Sequence, residues 1–480
     1  MTDIQKTICD YIDQNAALFT GVSDRIWELA ELSLKEYQST ALYCEVLREG
    51  GFAVEERLCG VGTAFSGSFG SGKPVIGILG EFDALSGLSQ AAGIAEKRSA
   101  GGEAGHGCNH NLLGAGALAA AFAVKDFLQR TGAPGTVIFF GCPGEEGGAG
   151  KAFMAREGAW RALDAAVTWH PDSVNTVVSG SCISCIQKEY IFDGIASHAA
   201  RNPELGRSAL DAAELLNIGV QFLREHMPDT ARIHYAITDA GGVSPNVVQP
   251  HASVLYMIRD HAVADAIALE KRVDRIAEGA ALMTDTKMHI RFIDGTSNTV
   301  PNRALEAAAW DVMQSLPLPA FDENDRAFAA ALCKSYEAPA ETAAEEYAFA
   351  LTPEETDYVN HVTQNGAAPL NEFLMPYHHT DHVTMSSTDV GDVSWQTPTV
   401  QVYTACRAAG SPGHSWQNVA AGKSPLGHKG MLYAGKILAC LAAKLLTEPE
   451  TLAAAQAEFK KASAAGYACP IPKGAVPTAL

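Results

Sequence analysis

The spacing of hydrophobic and polar positions changes several times along the chain, and each change marks a new element. From residue 4 to residue 50 apolar side chains recur at helical spacing (Ile8, Tyr11, Ile12, then Ile26, Leu29, Ala30). Gly50-Gly51 closes the stretch, so helix is predicted there. The run from Pro74 to Leu85 is short, apolar and ends in acids, the pattern of a buried strand. A small-residue helix over 111–130 follows, then a strand entering the glycine loop that ends at residue 148, then a strand over 164–172. Strands alternating with helices predict an α/β fold, a mostly parallel sheet flanked by helices on both faces.

Near Gly180 the pattern changes. Strand (183–192), helix (208–226), two strands (232–238 and 252–258), helix (263–282) and strand (287–293) succeed one another. This β-α-β-β-α-β order is the ferredoxin-like α+β arrangement and has the length of a self-contained insertion. After Val300 helices return, then the strand TVQVYTA and a long helix over 428–446. The predicted organisation is therefore a discontinuous domain, 1–182 with 299–480, interrupted by a second domain over 183–298. Residues 320–385 mix Pro, Asn and acids with brief helical stretches and allow only a loose assignment.

A chain of 480 residues suits two such domains. Asp plus Glu number 55 against 35 Lys plus Arg, and the net charge of −20 disfavours nucleic acid and anionic membrane as partners. The longest apolar run, Leu112 to Val124, stops at Lys125, short of the ~18 residues a spanning helix needs. The N-terminus lacks the basic start and apolar centre of a secretory signal, and eleven scattered cysteines read as reduced thiols. A cytoplasmic protein is expected.

Candidate chemistry collects where strands end. In an open α/β sheet, ligands gather at the carboxyl ends of the strands. Glu81 and Asp83 lie in GEFDALSG, Cys108 and His110 in HGCNHNLLG, Glu145 and Glu146 in PGEEGGAG, and His170 in TWHPD. His414 sits downstream in SPGHSW, after the strand TVQVYTA. Singly, each has an ordinary reading: a hydrogen-bonded surface histidine, a buried thiol, a solvated acidic loop. Four separate loops that each carry a metal-type residue beside Gly or Pro are together improbable by chance. Cys, His and Glu donors of this kind suit Zn²⁺ or Mn²⁺, and five of them can hold two ions. Two adjacent ions can share and acidify a water, the requirement of amide hydrolysis. Glu145 and Glu146 cannot easily bind one ion alike, so one is expected as a ligand and the other as a base.

Other apparent motifs fail. GSFGSGKP matches phosphate-loop spacing up to Lys73, but Pro74 replaces the Ser/Thr and a strand follows, so a hairpin turn is predicted. Cys182 and Cys185 form a C-x-x-C without a second pair, inside a predicted strand. The cluster His378, His379, Asp381, His382 is metal-capable but lies in the poorly patterned region.

At GEFDALSG, NHNLLG, CPGEEGG, TWHP, HAARNPELGRSALDA and HYAITDAGGVSPNVVQ the chain resembles the aminoacylase-like dinuclear metallopeptidases, in the branch of the indole-acetyl-amino-acid hydrolases. The resemblance runs nearly the whole length. It implies a zinc-exopeptidase-like catalytic domain with an inserted dimerisation or lid domain, and two divalent ions, Zn or Mn, per subunit. It implies Cys108, His110, Glu146, His170 and His414 as ligands, Glu145 as general base and Asp83 as the acid that orients a ligand. In the insert, His198 and Asn246 match residues that stabilise the oxyanion and hold substrate, often in the partner subunit's site. Arg207 is a further candidate for the substrate carboxylate.

Three positions depart from the family pattern: Asn109 stands where Gly is usual, Asn111 where Asp is usual, and Glu81 where the wider superfamily has His. The implied reaction is hydrolysis of the amide between an acyl or aroyl group and an amino acid, glutamate foremost, by a homodimer or by a mixed dimer with a paralogous chain. The rivals are a hydrolase of another N-acyl-amino acid or dipeptide and a non-catalytic subunit of a paralogous hydrolase. A nucleotide-dependent oxidoreductase is disfavoured, because no complete glycine fingerprint follows a strand.

Overall fold

A computed structural model describes residues 1–338 and 341–479. The predicted helical stretch over 4–50 is three helices, α1 (Asp3–Gln14), α2 (Ala16–Leu29) and α3 (Tyr37–Glu49). The second break begins at Ala30, in left-handed backbone (φ 42°). Periodicity does not register it because apolar spacing resumes on the far side. The break turns Ser33 and Glu36 towards the ends of the sheet strands, where both take up hydrogen bonds described below.

The main sheet has seven strands: β1 (Ala53–Glu56), β2 (Phe65–Ser71), β3 (Val75–Glu81), β4 (Gly135–Cys142), β5 (Ala165–Asp172), β6 (Thr176–Val177) and β11 (Thr399–Ala405). Their spatial order is β1-β2-β4-β3-β5-β11-β6. The central four, β4, β3, β5 and β11, run parallel, and antiparallel strands close both edges. The hairpin expected over 67–74 is not formed. A tight turn does join β2 to β3, but β4 lies between them and pairs with both. Sequence adjacency suggested the pairing, and the parallel β3–β4 crossover took the central place instead.

Helix α4 (His110–Thr131) crosses one face of this sheet and packs against α8 (Pro425–Thr447). Both are long and apolar enough to cross a membrane by composition, yet 89% and 78% of the two apolar windows are buried inside the fold. A glycine sets how closely α4 approaches the sheet: a Cβ at Gly114 would meet the Tyr43 hydroxyl at 2.3 Å and the Glu81 carbonyl at 2.7 Å. α4 is thereby seated directly on the end of β3.

Residues 184–296 form a separate four-stranded antiparallel sheet, ordered β8-β9-β7-β10, from β7 (Ser184–Asp193), β8 (Arg232–Asp239), β9 (His251–Asp260) and β10 (Lys287–Thr296). Helices α6 (Ala209–Arg224) and α7 (Val263–Thr284) cover one face around a distinct apolar cluster that includes Phe192, Leu216, Val254 and Val273. This is the predicted β-α-β-β-α-β order. Among its described residues the poorly patterned stretch holds three short helices, Glu323–Cys333, Ala343–Glu346 and Pro353–Val362.

Candidate metal centre

The carboxyl ends of β3 and β5, where Glu81 and His170 still lie within the strands, and the loops after β3, β4 and β11 meet the N-terminus of α4 at one end of the main sheet. Cys108, His110 and His170 form one group of ligand-type atoms. Cys108, Glu146 and His414 form a second, and Glu81, His110 and Glu145 a third. Within each group the atoms lie within 4.8 Å of one another. Cys108 Sγ is 3.3 Å from His170 Nε2, and His414 Nε2 is 3.4 Å from Glu146 Oε2. His110 Nε2 is 3.3 Å from Glu81 Oε2, 3.9 Å from Glu146 and 4.0 Å from Glu145. All five expected ligands and Glu145 therefore converge, and Cys108 belongs to two groups at once.

The surrounding hydrogen bonds aim these atoms. Asp83 Oδ1 accepts from His110 Nδ1 at 2.8 Å, and the Pro171 carbonyl accepts from His170 Nδ1 at 2.9 Å, so each ring turns its Nε2 lone pair into the cluster. Asp83 Oδ2 accepts from Ser33 Oγ at 2.7 Å and from the Glu146 backbone N–H at 2.9 Å. Burial opposes ionisation of Asp83, but its hydrogen bond to His110 and these donors carry the carboxyl down to about 2. Glu36 Oε1 accepts from the Gly144 N–H at 2.8 Å and holds the glycine loop from the other side. Gly144 has φ 68°, which a residue with a Cβ rarely adopts.

Asn109 also takes left-handed backbone (φ 60°), and its Nδ2 donates to the His106 and Asn418 carbonyls. Asn tolerates this conformation as Gly does, so the departure from the family's glycine preserves the turn between Cys108 and His110. His414 (φ 48°) is likewise held in a strained conformation.

Glu81 is neutralised from behind. Lys151, wholly buried on α5 (Gly150–Arg156), forms an ion pair with Glu81 Oε1 at 2.7 Å and donates to Asp389, which also accepts from the Lys151 backbone N–H. One lysine does not balance the acids here. Glu145 is driven well above the ordinary carboxylate range by burial and then by its neighbours Glu81 and Glu146. Burial, with Glu146 beside it, pushes the Cys108 thiol up to about 12. His110 Nε2, Glu81 Oε1 and Glu146 Oε1 are buried without a hydrogen-bond partner among the described residues. Orphaned N and O atoms beside a buried thiol in an acid-rich pocket fit borderline divalent cations, whose charge would also displace the thiol proton.

The three insert residues lie elsewhere. His198, Asn246 and Arg207 follow the far end of β7 or precede β9, while the metal-type cluster faces the end at Ser184. Ten strand residues, roughly 30 Å, separate the two ends. His198 is exposed, and its Nδ1 accepts from the Ala200 and Arg201 N–H groups at 3.2 Å, which leaves Nε2 as an outward donor. Asn246 is exposed beside it. Arg207 pairs with Asp285 at 2.7 Å and donates to the Gly206 carbonyl, so its guanidinium is already engaged.

The sequence reading missed Lys151, Asp389 and Arg259. Arg259, at the near end of β9, lines a cleft of about 320 Å³ together with Glu145, Glu146, Gln187 and His414. Its only sequence signal is a cation at a strand terminus. The His378–His382 cluster gathers no metal group among the described residues: His378 bonds Glu355, His379 bonds Glu306, and His382 stacks on Phe349.

The chain is 43% identical, over 100% of both chains, to a p-aminobenzoyl-glutamate hydrolase polypeptide of Escherichia coli (strain K12). An aminobenzoyl-glutamate utilization protein from Klebsiella pneumoniae shares the fold at TM-score 0.54 and 18% identity, over 68% of this chain and 90% of that one. A dinuclear metal-binding peptidase of the M20 family from Bacillus subtilis does so at TM-score 0.50 and 16% identity, over 89% and 99%. The sequence profile of peptidase family M20/M25/M40 matches residues 78–437, and with the loops converging as described, the chain belongs to that family.

Proposed function

We propose that the protein is a metal-dependent amidohydrolase that cleaves p-aminobenzoyl-glutamate to p-aminobenzoate and glutamate. The observation that carries this is the convergence of Cys108, His110, Glu146, His170 and His414 on one acid-rich cluster, with Glu145 beside them. The substrate comes from the full-length likeness to a hydrolase of that name. Two divalent ions, zinc or manganese, held by those five side chains would acidify a water and polarise the scissile carbonyl.

Glu145 serves as general base and then general acid. Its carboxyl takes a proton from the attacking water and delivers it to the leaving glutamate nitrogen. Its raised proton affinity suits the second half of that task. Asp83 fixes the His110 ring. The Arg259 guanidinium, in the cleft with Glu145, binds the substrate carboxylate. Arg207, committed to Asp285, is the weaker candidate.

The insert, residues 183–298, serves as the dimerisation and lid domain. His198 Nε2 and Asn246 act in the site of a second subunit, either another copy or a paralogous chain, where His198 donates to the oxyanion. Their exposure and distance from this chain's own cluster support that reading. A cytoplasmic location fits eleven free cysteines.

The test is purified protein loaded with Mn²⁺ or Zn²⁺ and given p-aminobenzoyl-glutamate. Turnover is expected, and Glu145→Ala should lower kcat by about 10²- to 10⁴-fold with metal content unchanged. Hydrolysis retained by that variant removes Glu145 as the base. Turnover that appears only when a paralogous chain is added excludes the homodimer, and its survival when that chain is paired with Glu145→Ala makes this protein the non-catalytic partner.

A further inference from the structure

Three hollows open beside the cluster, and their walls differ in charge. The cleft at Glu145 carries Arg259, and a cavity of about 630 Å³ beside His414 carries Arg407 and Lys97. The third, of about 340 Å³, has no lysine or arginine in its wall. It is lined instead by Tyr347, Phe349, His382 and Tyr403, with the acids Asp172 and Glu346 on its border. Phe349 lies against His382 at 4.0 Å between ring centroids and 16° between planes, and Tyr347 stacks on Phe349 at 6.1 Å.

This cavity adjoins the reaction centre. Tyr403 stands opposite His170 in the β5–β11 register, and their rings are 6.1 Å apart. Met385 and Ser386 line both the cavity and the cleft that contains Glu145 and Arg259. A molecule with its amide at the cluster can therefore extend into both hollows. A carboxylate there would face Asp172 and Glu346, with the neighbouring Arg407 outside the wall and already paired to Asp172, and would be disfavoured, whereas a neutral ring gains stacking and burial.

We propose that this cavity holds the aromatic acyl half of the substrate, while the carboxylated half lies against Arg259. The inference rests on the hydrolase reading above and narrows it to aroyl rather than small aliphatic acyl groups. Asp172 is already paired with Arg407 at 3.4 Å, so Glu346 is the acceptor for a ring amino group. Phe349, Tyr347 and Tyr403 are thus specificity-determining residues.

Photolabelling of the metal-loaded protein with 4-azidobenzoyl-glutamate reads position without requiring turnover. Label is expected in the peptide 341–386, reduced by excess p-aminobenzoyl-glutamate. Label on the strands around Gln187 and Arg259, or none that the competitor removes, overturns the inference. Label in the cavity without cleavage supports the cavity and refutes the proposed reaction; cleavage with label elsewhere does the reverse. In kinetics, Phe349→Ala should raise KM for p-aminobenzoyl-glutamate about 3- to 10-fold more than KM for acetyl-glutamate, with Phe349→Leu intermediate. Equal effects on both substrates also overturn it.

Discussion

The two ends of β7 look on to opposite kinds of surface. At the Ser184 end lies a cluster whose side chains are mostly buried and oriented by Asp83, Ser33, Glu36 and Lys151. At the Asp193 end, His198 and Asn246 stand exposed on irregular chain, fixed by backbone contacts but facing no group of their own. The first is preorganised within one chain and the second gains a role from whatever approaches it. Burial with satisfied hydrogen bonds makes a site self-sufficient, and an exposed, oriented donor is the complement of a surface supplied from outside.

The largest expected effect tests self-sufficiency. Lys151→Met leaves Glu81 and Asp389 buried without their cation and should cost about 3–5 kcal/mol, read as a fall in the denaturant midpoint. An unchanged midpoint would mean that the acids rearrange or protonate freely. Next is the cleft between the two regions. Arg259→Ala should raise KM for an acyl-glutamate about 10- to 150-fold, the loss of a charged hydrogen bond. Little change would move carboxylate recognition to Arg407 or to the partner.

The third prediction concerns acid. The Asp83 carboxyl titrates near 2 in the fold and near 3.9 when unfolded, so its contribution is fully present above the unfolded value. It is lost as pH falls through about 2, and amounts to about 2–3 kcal/mol. Asp83→Asn should flatten the metal-free protein's stability between about pH 5 and pH 2, measured by urea unfolding; an unchanged profile would show that His110 does not set this group. The smallest signal is the most specific to the exposed end. Glu145→Ala and His198→Ala chains, each inactive alone, should recover on the order of a quarter of native activity when mixed, since half the dimers are mixed and carry one intact site. No recovery would return His198 to its own subunit.

Much of this was legible in the sequence, for identifiable reasons. Loops after buried strands are marked by Gly and Pro, so Cys108, Glu145, Glu146, His170 and His414 stood out, and the insert's order followed from its periodicity. Lys151 and Arg259 did not stand out, because a lysine on a short helix and an arginine at a strand end look solvated until long-range packing buries the first and sets the second in a cleft. The aromatic cavity was hidden for another reason. Most of its wall comes from 341–386, where short helices of 4 and 10 residues leave no sustained period. The breaks inside 4–50 were lost because the helical phase is readable on both sides of a turn that serves tertiary contacts.

The insert is continuous in sequence and owns an apolar cluster, whereas the main sheet is completed by β11 and His414, more than a hundred residues after β10 ends. During synthesis the smaller unit can mature on the ribosome while the larger one waits, its cation-binding groups already made but lacking the last of them. The fifth of the converging side chains is thus the last to be made, and nascent chains interrupted before residue 399 would carry a finished insert with an unfinished main sheet.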